Sequence, residues 1–290
     1  MLMKDVDRVI MVDWSIFLKS ATYASRHVEK MSPTYTCMTM ILANLKRIGI
    51  TKNTLVLLAC DCEGSWRKQF LPQTKGDRKE IEAKFQSDFK DIYKQFDDLL
   101  DTLHNATDWH ICRIPKIEAD DFFNVAARYY GVFHNTELVM LTSDSDMRLL
   151  WRYPNVKWFS PHKKVQRYKI MPDNFDYNKE LTKSIYSAGH NNLGVPQTEE
   201  EYKIKKMCVD CILPKWIEHA CIKRFIDMEF KGDDPDLLGS PTLIERYNSL
   251  MTDHSKIVTY EQSVKKEARK KKKVARKAKM KRELAKLEEM

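Results

Sequence analysis

Three short apolar runs stand out in the pattern of hydrophobic and polar positions along this chain. They cover residues 9–12, 55–59 and 138–141, and each contains four or five positions rich in Val, Ile and Leu. Short apolar runs between polar residues are typical of buried β-strands. Residues 109–114 and 156–159 are predicted to be further strands.

The intervals between these runs have helical spacing. The clearest predicted helix covers residues 79–103, and a second covers residues 119–130. Helical periodicity resumes over residues 204–230, with a break at Pro214. Strands that alternate with helices predict an α/β fold with a mainly parallel sheet. The apolar positions of the first helix recur every three or four residues, and they are Ile81, Phe85, Phe89, Ile92, Phe96, Leu99 and Leu103.

The net charge of +9 is concentrated at one end of the chain. Residues 261–290 contain 13 Lys and Arg but only 5 Glu, whereas the other 260 residues contain 37 basic and 36 acidic side chains. A basic tail on a nearly neutral body favours a polyanionic partner. We predict that the tail is a solvated helix or an arm.

Several functional classes are disfavoured by composition. No apolar run approaches the roughly 20 residues of a membrane span, and the first residues do not have the pattern of a secretory signal. Seven scattered Cys residues are more typical of reduced thiols in a cytoplasmic protein than of a disulfide framework.

Each of the three clearest strands runs into an acidic residue. Asp13 follows the first, Asp61 the second and Asp144 the third, with Asp146 two positions further on. Ligands of open α/β sheets bind beyond the carboxyl ends of the strands. Three acids at that edge would repel one another unless a cation were present.

A second acidic group is the segment Glu118, Ala119, Asp120, Asp121. If this segment opens a helix, Glu118 and Asp121 share one face. Acids in a first helical turn also serve as simple caps, and that interpretation stays open for this segment alone. Together with the strand-end acids, the pattern favours a metal site. Oxygen ligands suit Mg²⁺ or Mn²⁺ rather than zinc, and two such ions can catalyse phosphodiester cleavage.

A basic cluster lies between Asp61 and the long helix. Trp66 and Phe70 are interleaved with the cations, as in sites that bind a phosphate backbone. A solvated loop is the alternative. The cations are Arg67, Lys68, Lys75 and Arg78.

These motifs, in this order, resemble the flap endonuclease family, which includes the 5′ nuclease domain of bacterial DNA polymerase I and the phage 5′ nucleases. Residues 61–68 read DCEGSWRK, residues 71–78 read LPQTKGDR, residues 118–121 read EADD and residues 142–146 read TSDSD. Residues 158–164, WFSPHKK, resemble most the ribonuclease H of the T-even phages. The resemblance covers about residues 8–165.

The resemblance implies a PIN-like fold with a helical arch, two metal ions and an identifiable set of site residues. Lys75 would take part in catalysis, and Arg67, Lys68, Lys75 and Arg78 would bind DNA. It implies a nuclease domain over residues 1–165 with the arch within 62–105, a helical DNA-binding module over 166–260 and the tail over 261–290. The expected catalytic metal ligands are Asp13, Asp61, Glu118, Asp120, Asp121, Asp144 and Asp146.

The resemblance weakens after residue 165. Residues 231–236, KGDDPD, match only the first part of a family motif, because Leu237 replaces its final Asn. The matched part of the motif implies that Asp233 and Asp236 complete the second metal site. An acidic surface turn is the alternative.

The predicted function is that of a 5′-3′ exonuclease or flap endonuclease that uses Mg²⁺ in DNA replication or repair. Its substrates would be branched or primed DNA, including RNA–DNA hybrids, and the tail would contact a replication partner such as a single-strand-binding protein or a clamp. The alternatives are a PIN-type endonuclease of single-stranded RNA and an inactive nucleic-acid-binding scaffold. A zinc site at Cys208, Cys211, His219 and Cys221 is disfavoured, because a single CxxC is a weak signal.

Overall fold

Six strands form one sheet at the centre of the structure, a computed structural model. The structure describes residues 6–27, 32–62, 64–70, 76–162, 168–187 and 195–229, and for residues 76–90 it describes the backbone alone. The spatial order of the strands is β3-β2-β1-β4-β5-β6. They are β1 (Arg8–Asp13), β2 (Thr54–Ala59), β3 (His110–Cys112), β4 (Glu137–Leu141), β5 (Val156–Phe159) and β6 (Tyr168–Lys169).

Strand β1 lies in the middle of this sheet. Ile10 is in register with Val56 of β2 on one side and with Val139 of β4 on the other, and both pairings are parallel. The pairings of β2 with β3 and of β4 with β5 are also parallel, whereas β6 is antiparallel to β5. The predicted, mainly parallel sheet is confirmed. Its order reverses at β1, where α/β proteins form a crevice at the carboxyl edge.

Helices cover both faces of the sheet. After α4, the chain continues for seven residues as a π-helical segment, Ala127–Phe133. Two short 3₁₀ segments, Trp66–Gln69 and Ser145–Arg152, follow β2 and β4. The α-helices are α1 (Trp14–His27), α2 (Pro33–Ile48), α3 (Gly76–Ala106), α4 (Ala119–Ala126), α5 (Tyr177–Tyr186), α6 (Glu199–Val209) and α7 (Lys215–Glu229).

Alternate residues of the strands point to opposite faces, and both faces are buried. Ile10, Val56 and Val139 share one core cluster with residues of α1, α2 and α3. The neighbouring positions, such as Met11 and Leu57, are also fully buried, on the side where α4 and α7 pack. Burial on both faces explains why these strands are continuous apolar runs rather than alternating ones.

The long predicted helix is confirmed as α3, which is three residues longer at each end. Phe96 is 1% exposed and its ring packs edge-on against Trp14 at 6.0 Å. Ile92, Leu99 and Leu103 lie in or against the same core cluster. Where side chains are described, the predicted face is therefore buried or partly buried against the core. The arch remains a prediction, because residues 71–75 lie outside the described residues.

The second predicted helix differs from the structure near its end. It was expected to be α-helical to residue 130, but it changes to a π-helical segment at Ala127. The His134 N–H donates to the Tyr129 carbonyl at 3.1 Å, five residues back. Here a Cβ at Gly131 would lie 3.0 Å from the Pro154 carbonyl oxygen, so the wider turn brings this backbone close to the segment before β5. Single π turns of this kind are frequent near functional sites.

Helix α7 packs on the same body as the sheet. Phe225 is fully buried, and its ring lies 5.2 Å from that of Tyr130 and 6.3 Å from that of Phe122. The Arg224 guanidinium donates to the Ile111 carbonyl at 2.8 and 3.0 Å. All described residues fall within one compact unit, Met1–Gly232.

The division of the chain at residues 165 and 260 remains a prediction. The break in helical periodicity at Pro214 is confirmed, because it separates α6 from α7. The two-residue strand β6 was not predicted. In the described part of the chain, no helix has both the length and the apolar character that a membrane span requires.

Candidate active site at the carboxyl edge of the sheet

Asp13 occupies the carboxyl end of the central strand. Strand β1 ends there and α1 begins at the next residue. The Asp13 side chain is only 5% exposed. Its two carboxylate oxygens accept hydrogen bonds of 2.9 Å from the hydroxyls of Ser15 and Thr142. These two donors fix the orientation of the carboxylate at the edge of the sheet.

Thr142 connects the ends of β1 and β4. Its buried hydroxyl donates to Asp13 and accepts from the backbone N–H of Asp144 at 3.0 Å. Asp144 in turn accepts from the Asp146 N–H at 2.9 Å and caps the Ser145–Arg152 segment. The indole of Trp158 donates to the Thr142 carbonyl at 2.8 Å. A chain of hydrogen bonds thus positions the acids of β1 and β4 relative to each other.

Asp61 follows the end of β2 and is exposed. One of its carboxylate oxygens accepts from the backbone N–H of Ala119, the first residue of α4, at 2.9 Å. This bond ties the β2 acid to the helix that begins with Glu118, Asp120 and Asp121. Favourable placement of a carboxylate at a helix N-terminus is expected from the helix dipole.

Asp13, Asp61 and Asp144 lie close enough to influence one another, and we call them the open acid group. Burial raises the pKa of Asp13 to about 6, while the hydrogen bonds from Ser15 and Thr142 oppose the rise. The carboxylates of Asp61 and Asp144 raise the pKa further. Repulsion of this kind disfavours the ionised form of Asp13 unless a cation enters the site.

Glu118 and Asp121 lie in a different environment, beside the buried side chain of Arg67. We call these two acids, with their partner Arg67, the paired acid group. The Arg67 guanidinium forms ion pairs with Glu118 and, at 2.7 Å, with Asp121. The Trp66 indole also donates to Asp121, at 2.9 Å. Burial works against the charge of Arg67, but the carboxylates, Asp121 first, keep the pKa of Arg67 above its usual value.

The structure corrects the expected orientation of Arg67. The basic cluster was expected to face a phosphate backbone, but Arg67 is 1% exposed and faces carboxylates. The helix cap that was the alternative interpretation of these acids is also present, because Asp121 accepts from the backbone N–H of Glu118 at 3.0 Å. Arg67 therefore neutralises part of the acidic motif from inside the protein.

Asp120 and Asp146 line a small cavity of about 20 Å³ beside Arg67, which is enough for a water molecule. Asp210, at the end of α6, lines the same cavity and forms an ion pair with Arg152. Cys211 completes this wall, and its thiol lies 3.4 Å from the Arg67 guanidinium. The structure thus brings Asp120 and Asp146 together next to the paired acid group.

The remaining predicted site residues are only partly covered. Lys68 is half-buried in the Trp66–Gln69 segment. Arg78 lies in α3, but its side chain is not described. Lys75, Asp233, Asp236 and the tail lie outside the described residues.

Comparison with known proteins identifies the family. A family model described as "5′-3′ exonuclease, N-terminal resolvase-like domain" matches residues 8–179, more than half of the chain. The chain belongs to this family. The family relationship inferred from the sequence motifs is therefore confirmed.

The curated relative and the solved structures agree with this assignment. Ribonuclease H of Enterobacteria phage T4 is 28% identical over 129 residues, which are 43% of this chain and 42% of the relative. The match thus spans less than half of the relative's length. A bacteriophage T5 protein co-crystallised with metal ions is 18% identical, covers 84% of this chain and 98% of its own, and has a TM-score of 0.51.

A flap endonuclease variant of bacteriophage T5, in a pseudo-enzyme-product complex with DNA and metal ions, also matches with 18% identity and a TM-score of 0.51. It covers 84% of this chain and 98% of its own. At this level of identity, the two T5 structures show a shared fold. The predicted PIN-like, mainly parallel α/β fold of a 5′-3′ exonuclease is confirmed.

Two hydroxyl groups of this family member were missed by sequence reasoning. Ser15 and Thr142 both donate to Asp13, and each lies within two residues of a predicted acid. For Ser15, the position two residues after the strand-end carboxylate is a usable signal, since Ser and Thr bond such neighbours locally. Thr142 reaches Asp13 only through the pairing of β1 with β4. Asp210 was missed because nothing in its neighbouring sequence links it to the site.

The donor set of this 5′-3′ exonuclease family member suits a hard cation. The open acid group offers carboxylate oxygens, and among the described residues no three Asp, Glu, His or Cys side chains are arranged to hold one ion directly. Mg²⁺ is commonly bound by one or two carboxylates and keeps several waters, so a group of spaced acids fits it better than zinc.

Proposed function

We propose that this protein is a divalent-metal-dependent 5′-3′ exonuclease and flap endonuclease that hydrolyses phosphodiester bonds in branched or primed duplex DNA. The observation that carries the proposal is the open acid group. Asp13, Asp61 and Asp144 lie at or just after the carboxyl ends of three parallel strands, and burial, together with the carboxylates of Asp61 and Asp144, raises the pKa of Asp13 to about 6. Because the chain belongs to the exonuclease family, we assign phosphodiester hydrolysis to this acidic edge.

Two Mg²⁺ ions are the proposed cofactor, and Mn²⁺ is the proposed substitute. Asp13, Asp61 and Asp144 would hold one of them, in part through waters that the ion keeps, with Asp120 and Asp146 nearby as further ligands. Asp233 and Asp236 remain candidates for the second site. When bound, the ions would activate a water for attack on phosphorus and stabilise the charge on the leaving oxygen.

The protein's own residues would orient the acids. Ser15 and Thr142 hold the Asp13 carboxylate, and Thr142 also fixes the backbone of Asp144. Arg67 offsets the charge of Glu118 and Asp121, which lowers the repulsion that those acids add to the open acid group. In this proposal, Glu118 and Asp121 support the site through Arg67 and the start of α4. Lys75 and Arg78 are proposed to contact the scissile phosphate.

Two named relatives support the choice of substrate. The T4 relative is a ribonuclease H, and a T5 flap endonuclease was crystallised with DNA. We therefore propose that this protein cuts 5′ flaps and removes RNA primers during replication of a phage genome in the host cytoplasm.

The basic tail, residues 261–290, is proposed to bind nucleic acid or an acidic replication partner. Its 13 Lys and Arg residues predict steep salt dependence, with a slope of about −0.9 per phosphate neutralised on duplex DNA. Deletion of 261–290 should weaken binding and flatten that dependence, while turnover on saturating substrate is retained. Unchanged affinity at low and moderate salt would contradict this role.

A digest of labelled substrates tests the proposed function. The full chain is incubated with a 5′-labelled flap duplex, an RNA-primed duplex and a single-stranded RNA, each with Mg²⁺ and with EDTA. We expect cleavage of the first two in Mg²⁺ and none in EDTA. Full activity in EDTA would contradict metal dependence, and cleavage of single-stranded RNA alone would favour a PIN-type RNA endonuclease. No cleavage of any substrate would favour a binding scaffold.

A further inference from the structure

A tight turn precedes the acidic start of α4. The N–H of Ile117 donates to the carbonyl of Ile114 at 3.1 Å, which closes a four-residue turn with Pro115 and Lys116 at its centre. Lys116 has φ = 68°. Proline fixes a negative φ at the first central position, so the positive φ at the second makes this a type II turn. Glycine is the residue that such a position favours.

Lysine is an unusual occupant of this position. Of the four described non-glycine residues with positive φ, two are asparagines, which tolerate the left-handed region well. The other two are Lys116 and Cys211, and Cys211 contacts Arg67 at the candidate site. Strained residues of this kind cluster at functional sites. The turn alone would accept glycine with less strain.

The turn is fixed to the candidate active site on two sides. The carbonyl of Lys116 accepts from the backbone N–H of Trp66 at 3.0 Å, next to Arg67 and Lys68. A Cβ built on Gly64 would lie 3.7 Å from the Lys116 Cγ, so the stem of the lysine passes beside the loop that follows Asp61. Three residues after Lys116, the N–H of Ala119 binds the Asp61 carboxylate.

The charge of Lys116 is available to a ligand. Lys116 is exposed, and within the described residues it forms no ion pair. Arg67, by contrast, is one of the four cations that were expected to bind DNA, but it forms ion pairs with Glu118 and Asp121. A phosphodiester that approaches the open acid group would need a cation at its rim, since the acids themselves repel it.

We propose that Lys116 is a substrate-binding residue that holds a backbone phosphate of the nucleic acid beside the open acid group. This inference rests on the proposed function. The strained turn presents the lysine from a fixed backbone, so that its stem lies along Gly64 and its ammonium group is left to solvent. Lys116 thereby takes the phosphate-binding role that burial denies to Arg67.

Equilibrium binding under conditions that prevent cleavage tests the role of Lys116. Anisotropy of a labelled 5′-flap duplex is measured in EDTA over a series of salt concentrations for the parent, Lys116→Gly, Lys116→Gln and Lys116→Arg. The matched control is Lys52→Gly, at an exposed lysine in the turn before β2, at the opposite edge of the sheet. Melting temperatures of all variants are recorded alongside.

Loss of one phosphate contact should weaken binding by Lys116→Gly and Lys116→Gln about three- to fivefold. The slope of log affinity against log salt should become shallower by about 0.9. Lys116→Arg should bind within twofold of the parent, and Lys52→Gly should be unchanged. The melting temperature of Lys116→Gly should equal or exceed that of the parent, because glycine relieves the positive φ.

Two results would overturn the assignment of Lys116. One is parental affinity and salt slope in both Lys116→Gly and Lys116→Gln while the parent binds and cleaves flaps. The other is equal weakening by Lys52→Gly, which would show a general effect of net charge. Failure of the parent itself to bind or cut flap DNA is a separate outcome, and it would overturn the proposed function.

Discussion

The open acid group and the paired acid group contain the same kind of side chain in adjacent parts of one site, yet their charges are balanced differently. Glu118 and Asp121 share the buried guanidinium of Arg67. Asp13 has two hydroxyl donors, and its pKa is raised to about 6 by burial and by the nearby carboxylates of Asp61 and Asp144.

This difference distinguishes the acids that stabilise the fold, in the paired acid group, from the acids proposed to bind metal ions, in the open acid group. The charges of Glu118 and Asp121 are balanced by Arg67 in the folded protein, so breaking these ion pairs should lower the stability of the fold. Asp13, by contrast, has a raised pKa, because burial and the neighbouring carboxylates disfavour its ionised form, which is the arrangement expected where a ligand ion completes the charge balance. The predictions below test this separation.

The largest effect is expected from Asp144→Asn. This change removes a charge from the open acid group, while Asn still caps the Ser145–Arg152 segment. We expect kcat on flap DNA to fall by about a thousandfold or more, with binding in EDTA within a few-fold of the parent. Asp108→Asn, at an exposed acid between α3 and β3, is the control. A kcat within tenfold of the parent would remove Asp144 from the metal site.

Arg67→Ala should have the opposite signature. It leaves two buried carboxylates without their cation, so the free energy of unfolding should fall by roughly 3 to 5 kcal/mol. Denaturant titration measures the loss. Arg113→Ala is the matched control, since its ion pair with Asp97 is exposed and should contribute about 0.5 kcal/mol. Parental stability with a loss of DNA binding would restore Arg67 to the phosphate-binding role.

Thr142→Val tests the link between β1 and β4. The substitution keeps the shape of the side chain but removes the hydroxyl that binds Asp13 and the Asp144 N–H. We expect kcat to fall by about 10- to 100-fold, as for residues that orient metal ligands, and Thr142→Ser to restore most of it. Thr102→Val on α3, which removes a hydroxyl bonded within the helix, should change kcat little. Equal kcat values for both Val variants would contradict the positioning role.

The last prediction concerns pH and applies in EDTA. The pKa of Asp13 is raised to about 6 in the folded protein, above the usual value of an unfolded chain. Its stabilising contribution is therefore fully present below about pH 4 and is lost as the pH rises through 6, on the order of 3 kcal/mol in total. Urea titrations from pH 4 to 7.5 should show this decline in the parent but not in Asp13→Asn. The same decline in both proteins would assign it to another group.

The sequence predicts those features of the structure that depend on residues close together in the chain. Buried strands between polar residues appear as apolar runs, and acids at their ends fall at one edge once the strands are parallel. The partners of Arg67 lie more than 50 positions away in the sequence, so this basic residue was assigned to DNA binding rather than to a buried ion pair. Thr142 reaches Asp13 only because β1 pairs with β4, across 129 positions. The two-residue strand β6 is too short to have a period.

Helix α7 is needed in any fragment of this protein that is to fold by itself. Phe225 fills a space between the rings of Phe122 and Tyr130, and Arg224 satisfies the carbonyl of Ile111 in β3. A recombinant fragment that stopped near residue 165 would expose those rings to water and leave that carbonyl without its donor. Such a fragment would tend to aggregate, so the acidic edge of the sheet can be transferred to another protein only together with the helices that follow it.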